Sequence, residues 1–490
     1  MTRTPRTRDE TGIAMMTTLM VGMVVTTMAA SMMFIAFHDQ TTSAHDRSWG
    51  QALHVAESGV QDAIAKLQST AGVAPIGTVT GTTVTGSYEY RVTALARSRF
   101  QIDATGTVGN ASSTSSKRRL RVTMAPPAAF PNALFSMTDI ATHNNNNICG
   151  NVWSNTSVTM DNGDAVRASS NATCPTGGDD SPGNVTAATG YLLMNNNSTI
   201  DGDVWTGGYD SSGISINLTG GNMIGGDAKA SSATPSCTDD ITSQRYKIGS
   251  SGTVTGSATA WGTVTATVTG KSSPLTCTAA APTQTAPVFT YNAANYPTGT
   301  IHEYNFPSDY ASFNAYIAGH LSNLSGTFYI AGGGAAYPVT LNGATVTGDL
   351  NVFAGTSPID ASGGLDASGG GDTTIVLASW YTAAATACTT TGGNPADCAI
   401  GFKNNFDMRP GSVTTGDNTA VLIYAPNGPV AFKNSAEFHG AVFANNIQIK
   451  NNMNLAYDPR VGQIVGFGSS TLDVDLWLEC TPGPVSTTSC

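Results

Sequence analysis

The chain has 490 residues, 40% of them hydrophobic and only 11% charged, well below the ~25% charged residues of an ordinary soluble domain. Its polarity comes from Ser, Thr, Asn and 54 Gly, which favour turns and strands and exclude an α-rich enzyme. A net charge of −11 excludes a nucleic-acid protein with a broadly basic surface. The charge is uneven: 12 Lys and Arg stand against 8 acidic residues up to residue 130, and 10 against 25 beyond it. Pro126, Pro127 and Pro131 mark the divide and predict a linker over 126–135.

Arg3, Arg6 and Arg8 precede an uncharged stretch from Thr11 to Phe37, longer than the ~20 residues a membrane helix needs. Basic residues before an apolar helix place its start in the cytoplasm and the chain beyond the helix outside. This predicts a leader over 1–12, a membrane helix over 13–37 and an exported remainder. Thr17, Thr18, Thr26 and Thr27 lower the hydropathy but can bond back to helix carbonyls. A cleaved secretory signal, with Ala29-Ala30-Ser31 as the cut, is the rival reading. Trp49, Leu53, Ala56, Val60, Ala63 and Leu67 come next at spacings of four and three, a heptad stripe that continues the helix over 38–69. No Pro interrupts Ile13 to Ser69, which makes a rod of roughly 85 Å. A disposable signal does not usually run on into an amphipathic helix, so the anchor is expected to be retained.

The basic leader, the Gly, the apolar helix start and the run Gln51-Ala52-Leu53-His54-Val55-Ala56-Glu57-Ser58-Gly59-Val60 together resemble the amino terminus of PilX-class minor pilins of type IV pili. The resemblance implies a helix held in the inner membrane and later packed into a filament core, with a β-sheet on its outer half. It also implies a prepilin peptidase cutting after Gly12 to leave Ile13 first, and Trp49, Leu53, Ala56, Glu57, Gly59 and Val60 as helix-packing positions. Other pilins and the pilus assembly machinery are the implied partners. Thr17 stands where major pilins carry Glu, and Asp9 and Glu10 precede the Gly.

Alternating stretches at Tyr88–Leu95, Phe100–Val108 and Leu120–Met124 predict a small antiparallel sheet within 70–125. Lys117-Arg118-Arg119 with Arg121 reads as a solvated strand edge that resists aggregation, and no nucleic-acid partner is expected.

Beyond residue 136, short β-runs recur between Gly and Asn. Ile148-Cys149-Gly150-Asn151-Val152-Trp153 is echoed by Ile200-Asp201-Gly202-Asp203-Val204-Trp205, and more weakly around Ile224 and Val346. One inward aliphatic per pleat, then a turn residue, is the pattern that stacked coils need. The fold class expected is therefore mainly β with a long N-terminal helix: a pilin-like helix and small sheet, then an irregular β-solenoid over 136–290 and 331–490. A sandwich or jelly roll is the alternative. Ala425-Pro426-Asn427-Gly428 and Glu437-Phe438-His439-Gly440-Ala441-Val442 resemble a domain at the distal end of pilin-like and bactofilin-like surface proteins, which implies architecture alone. Leu472, Val474, Leu476 and Leu478 alternate with polar residues and Trp477 as a final half-buried strand of this second part.

Between the two parts, 291–330 is dense in aromatics and reads as an inserted subdomain. Ser308-Asp309 caps a helix from Tyr310 to about Leu321, and binding of a carbohydrate or surface partner is the competing use. Asn144–Asn147, Asn195–Asn197 and Asn451-Asn452 either form amide ladders along a coil corner or simply tolerate left-handed turns; the second is the expectation.

All eight cysteines, Cys149, Cys174, Cys237, Cys277, Cys388, Cys398, Cys480 and Cys490, lie beyond the divide without a C-x-x-C pair, which suits disulfides in an oxidising compartment. Eight cysteines allow 105 connectivities; proximity suggests Cys388–Cys398 and Cys480–Cys490, and buried free thiols are the alternative. No H-E-x-x-H, G-x-S-x-G or Walker sequence occurs. Asp161-Asn162-Gly163-Asp164 and Asp201-Gly202-Asp203 offer oxygens to Ca²⁺, the one cofactor considered, though turn formation explains them as well. The expected function is a non-catalytic minor pilin that displays a large β-domain for filament initiation, capping or adhesion, first as a single-pass cytoplasmic-membrane protein and then at the cell surface. The alternatives are a membrane-tethered β-helix enzyme acting on polysaccharide and a stand-alone anchored adhesin.

Overall fold

The computed structural model describes residues 11–69, 77–94, 100–109, 115–125, 131–174, 181–231, 245–249, 251–278, 283–285, 287–293, 296, 300–367, 373–383, 388, 398–402, 406–408, 419–463 and 473–480. The chain forms two units, one of residues 1–125 with 470–490 and one of 126–469.

In the first unit a single helix, α1 (Thr11–Ser69), runs unbroken, as its freedom from proline allows. Hydroxyls of Thr18, Thr26 and Thr27 bond to Met15, Gly22 and Met23 carbonyls at 2.8–3.0 Å, so the threonines of the apolar half satisfy themselves within the helix. Strands β1 (Thr78–Thr82), β2 (Ser87–Ala94), β3 (Phe100–Val108) and β4 (Ser116–Ala125) form an antiparallel sheet. Three of these coincide with the alternating stretches at Tyr88–Leu95, Phe100–Val108 and Leu120–Met124, and β1 is additional to them. Ala56, Val60, Ala63 and Leu67 of α1 pack on Tyr90, Phe100, Ile102, Leu120, Val122 and Met124.

The fifth strand of this sheet is the C-terminal strand, Asp473–Cys480, antiparallel to β4. The expectation that it ends the solenoid is wrong. Alternation reports a pleat but not which sheet supplies the neighbour. Its addition also makes β4 an interior strand, so the basic run is not a sheet edge. The second unit is thus inserted between two adjacent strands of the first.

The second unit is a solenoid in which every pairing among the described strands is parallel. From Leu134 the chain climbs through three-strand coils: Leu134–Ser136, Ile140–His143 and Asn147–Cys149 lie under Val152–Ser154, Val158–Asp161 and Ala165–Arg167. Among the described residues four further levels follow, up to Thr267–Val268, and Ser272–Ser273 adds a last strand on Ala258–Thr259. Three of the sequence echoes, at Ile148, Ile200 and Ile224, share one inward, buried column with Val166, whereas Val346 lies in the second stack. The solenoid therefore begins within the predicted linker.

The second part does not continue this climb. It starts afresh at Ile301–Phe306, rises through Leu324–Gly332, Ala344–Ala354, Thr374–Ser379 and Ala420–Phe432, and reaches Ala436–Ile449 and Met453–Tyr457. Those last strands pair in register with the first coil, Val442 with Leu134, Ile447 with Ile140 and Leu455 with Ile148. Two stacks thus meet at a seam in mid-solenoid. Entry and exit are neighbours there: a Cβ on Gly150, which adopts φ +137°, would fall 3.1 Å from Ala133 Cβ and 2.7 Å from Tyr457 Cβ. Closely spaced ends are what allow one domain to be inserted within another.

The aromatic segment is the starting coil of the second stack and its end cap, not a separate subdomain. Helix α2 (Tyr310–Gly319) begins after Asp309 and stops two residues before Leu321, but neither the Ser308 nor the Asp309 side chain caps it: the Asp309 carboxylate accepts from Asn305 N at 2.7 Å and the Ser308 hydroxyl donates to Asn305 O. Its buried Phe313 meets Phe306, Tyr304 and Phe328, so the core of the last coil is closed by rings.

Asparagines perform both roles that the sequence offered. Asn144, Asn162 and Asn196 sit at φ 50–68°, and their amides link in a ladder: Asn196 to Asn162 at 2.9 Å, Asn162 to Asn144 at 3.0 Å and Asn144 to Asn451 at 2.9 Å. The last step crosses the seam.

Candidate membrane anchor, display domain and exposed strand

Side chains of α1 from Met15 to Phe37 are exposed throughout, including Phe34 at 80%. The helix is long and apolar enough to cross a bilayer, a test that a signal sequence also passes. Gly12 and Ile13 lie in its first turns, with their side chains outside the described residues. Residues 1–10 are likewise outside them.

Among the helix-packing candidates, Ala56, Gly59 and Val60 are buried. Gly59 faces Tyr88, whose ring a Cβ would approach to 3.1 Å. Leu53 and Trp49 are half-buried, and Ala52 and Val55 are buried beside the stripe. The buried face is wider than the heptad spacing implied, because a sheet presents a broad surface where a partner helix presents a seam. Glu57 is half-exposed and holds His54 at 2.8 Å. Trp49 lies under the Arg118 guanidinium at 4.0 Å, and Arg118 reaches Glu479 of the C-terminal strand at 2.8 Å. That triad joins helix, sheet and closing strand. The sequence separation of the three residues hid it.

Asp103 on β3 is held by Arg121 at 2.9 Å and Arg119 at 3.0 Å. Burial alone would raise its carboxyl; hydrogen bonds from Gln101 and Arg121 and the charges of both arginines hold it below the usual carboxylate value. The basic run is largely consumed by these pairs.

Among the described residues the C-terminal strand lies at the edge of the sheet, and its Val474, Leu476, Trp477 and Leu478 are 37–49% exposed, on both faces. This is not the half-buried alternation expected, and a long apolar edge is a pairing surface.

In the solenoid, Cys149–Cys174 and Cys388–Cys398 are disulfides, the second as proximity suggested. Cys277 and Cys480 are also disulfide-bonded, whereas Cys237 and Cys490 lie outside the described residues. The Cys149–Cys174 bridge closes a loop of 25 residues, so replacing both by Ser is expected to cost about 3 kcal/mol by loop entropy. Chemical denaturation of the double variant against the parent measures it.

The acidic turns bond inward. Asp164 accepts from Asn146 N and Nδ2 and from Asp161 N at 2.9 Å, and burial raises its carboxyl. Asp201 accepts from Arg167, Ala168 and Asn171, and Asp203 accepts from Asp227 N. Among the described residues no three His, Cys, Asp or Glu converge as a metal site would require.

Two imidazoles in the second stack are depressed below their ordinary 6.5. Burial is the main cause for both. For His302 the nearby His320 adds to it, and for His439 Arg460 adds to it while Asp458 opposes. A base with a folded pKa below its unfolded one contributes stability above the unfolded value, and loses it as pH falls through that value. The urea midpoint of the second stack is therefore expected to fall between pH 7 and pH 5, with His439→Gln flattening the dependence.

Residues 308–464 match the profile of a family described as a domain of unknown function, DUF7305. The match begins at α2 and ends just past the seam strands, covering most of the second stack and none of the first. No curated protein matches the chain, and no solved structure does.

Proposed function

We propose that the protein is a membrane-anchored, pilin-like surface subunit with a non-catalytic role, carrying its solenoid as a displayed module. One observation carries this reading. A single helix leaves its first half wholly exposed and apolar and buries one face of its second half under an antiparallel sheet. Exposed apolar side chains along more than five turns need either lipid or neighbouring helices, and one rod serves as bilayer span before assembly and as packing element after it. The insertion of the second unit supports display, since both of its tethers enter the same sheet.

The basic residues before the helix support an inside amino terminus, with sheet and solenoid outside the cytoplasmic membrane. The disulfides agree with that compartment. A module of this size obstructs close tiling, which favours a minor, tip-located subunit acting in initiation, capping or attachment. Other pilins, the assembly machinery and a prepilin peptidase are its proposed partners.

Mass analysis of the mature amino terminus tests the reading. A chain starting at Ile13 is the expected result. A start near Ser31 would mark a secreted protein, and an intact Met1 a simple anchor.

A further inference from the structure

The seam joins two stacks that the chain connects only by a detour. Residues on either side are some 300 positions apart, yet they pair as closely as successive coils do. Backbone bonds of 2.8–3.0 Å run from Val442 to Ala133, from Met137 to Ala444, from Thr138 to Asn445 and from Ile447 to Asp139. Phe135 and Phe443 stack at 5.0 Å. Each half alone would end in an unpaired parallel edge with an open core.

The detour itself fastens this joint. From the top of the first stack the chain returns alongside the solenoid, and its described residues are tied on both sides of the seam. On the first stack, Gln284 exchanges both backbone bonds with the Asn155 amide, at 2.8 and 3.1 Å. On the second, the Tyr424 hydroxyl donates to Pro287 O at 2.9 Å and accepts from Phe289 N at 3.3 Å. The Phe289 ring lies among Phe353, Trp380 and Tyr424. The returning segment is a strap across a joint that has no peptide bond of its own.

We propose that the seam is a strand-exchange interface between copies of this chain, with the strap as the latch that keeps it closed within one molecule. A joint made of backbone ladder bonds, side-chain bonds such as Asn144 to Asn451 and Asn147 to Asn454, and stacked rings is identical whether its halves belong to one chain or two. The chain already makes the internal joint an intramolecular one, and the strap shifts the balance further by holding its two sides together at a higher effective concentration. Once the latch is loosened, the edge at Ala436–Tyr457 of one copy takes up the first coil of another, in the same register. The partner is thus a second copy, and the linkage passes through the displayed module rather than through the helix.

Ala141 and Gln448 are register partners across the seam and provide the test. Detergent-solubilised full-length chains carrying Ala141→Cys are mixed with chains carrying Gln448→Cys, each with the latch intact or loosened by Phe289→Ala with Tyr424→Phe. The loosened mixture is expected to give an interchain disulfide in at least about ten-fold greater yield than the latched one. A single chain bearing both cysteines should close internally and resist exchange. Loosened chains that close internally when doubly substituted, yet never link in the mixture, overturn the proposal. If the double latch variant does not close internally, Asn155→Ala, which frees Gln284 together with the Trp153 indole N–H and Met137 Sδ, is read by the same two outcomes.

Discussion

Alanine at Gly106 is expected to pry α1 off its sheet. The Cβ it adds would stand 2.1 Å from the Ala52 carbonyl oxygen and 2.4 Å from the Ala56 nitrogen, both backbone atoms of the helix. Neither can rotate away as a side chain would, so helix and sheet must separate along their contact. The cost is about 3 kcal/mol, at the upper end for one added methyl, which lowers the melting temperature of this small unit by more than about 10 °C. Gly50→Ala is the contrasting substitution. It lies in the same helix with nothing within 4 Å of the new atom, and should stabilise by about 0.5–1 kcal/mol. Circular dichroism melts with limited proteolysis, which separates the unit from the solenoid, measure both. Equal melting of the two variants would remove Gly106 as the point of close approach.

The second large effect lies at the seam. Phe443 is fully buried, with its ring between Phe135 and Tyr424 at 5.0 Å from each. Phe443→Ala is expected to cost about 3–5 kcal/mol. Because the loss falls on the joint without a peptide connection, unfolding should split into two transitions, one for each stack. A single cooperative transition in the variant would mean that strap and corner ladder alone keep the stacks coupled.

These sites differ in how far the sequence announces them. The helix was readable because nothing interrupts Ile13 to Ser69, and the sheet because its strands alternate. The solenoid was readable from the echo between Ile148 and Ile200, whose side chains share one column two levels apart. What sequence could not supply is partnership at long range. Leu472 to Glu479 alternates correctly for a strand, but the pattern is the same whether the neighbour is Tyr457 or Arg121. The seam is hidden for a similar reason, since Val442 and Leu134 are ordinary inward aliphatics and only geometry matches them. Gly106 gave no signal beyond its identity. The aromatic segment misled because rings that close the end of a stack have the composition of an independent core.

The placement of the two outer ends has a wider consequence. Growth or loss of whole coils near Thr267 or Ile301 leaves the spacing between Ala133 and Tyr457 untouched. The number of coils and the surface of the module can therefore drift over evolutionary time while the points where the chain enters and leaves it stay side by side. Length and attachment are set by separate stretches of sequence, so selection can act on one without disturbing the other.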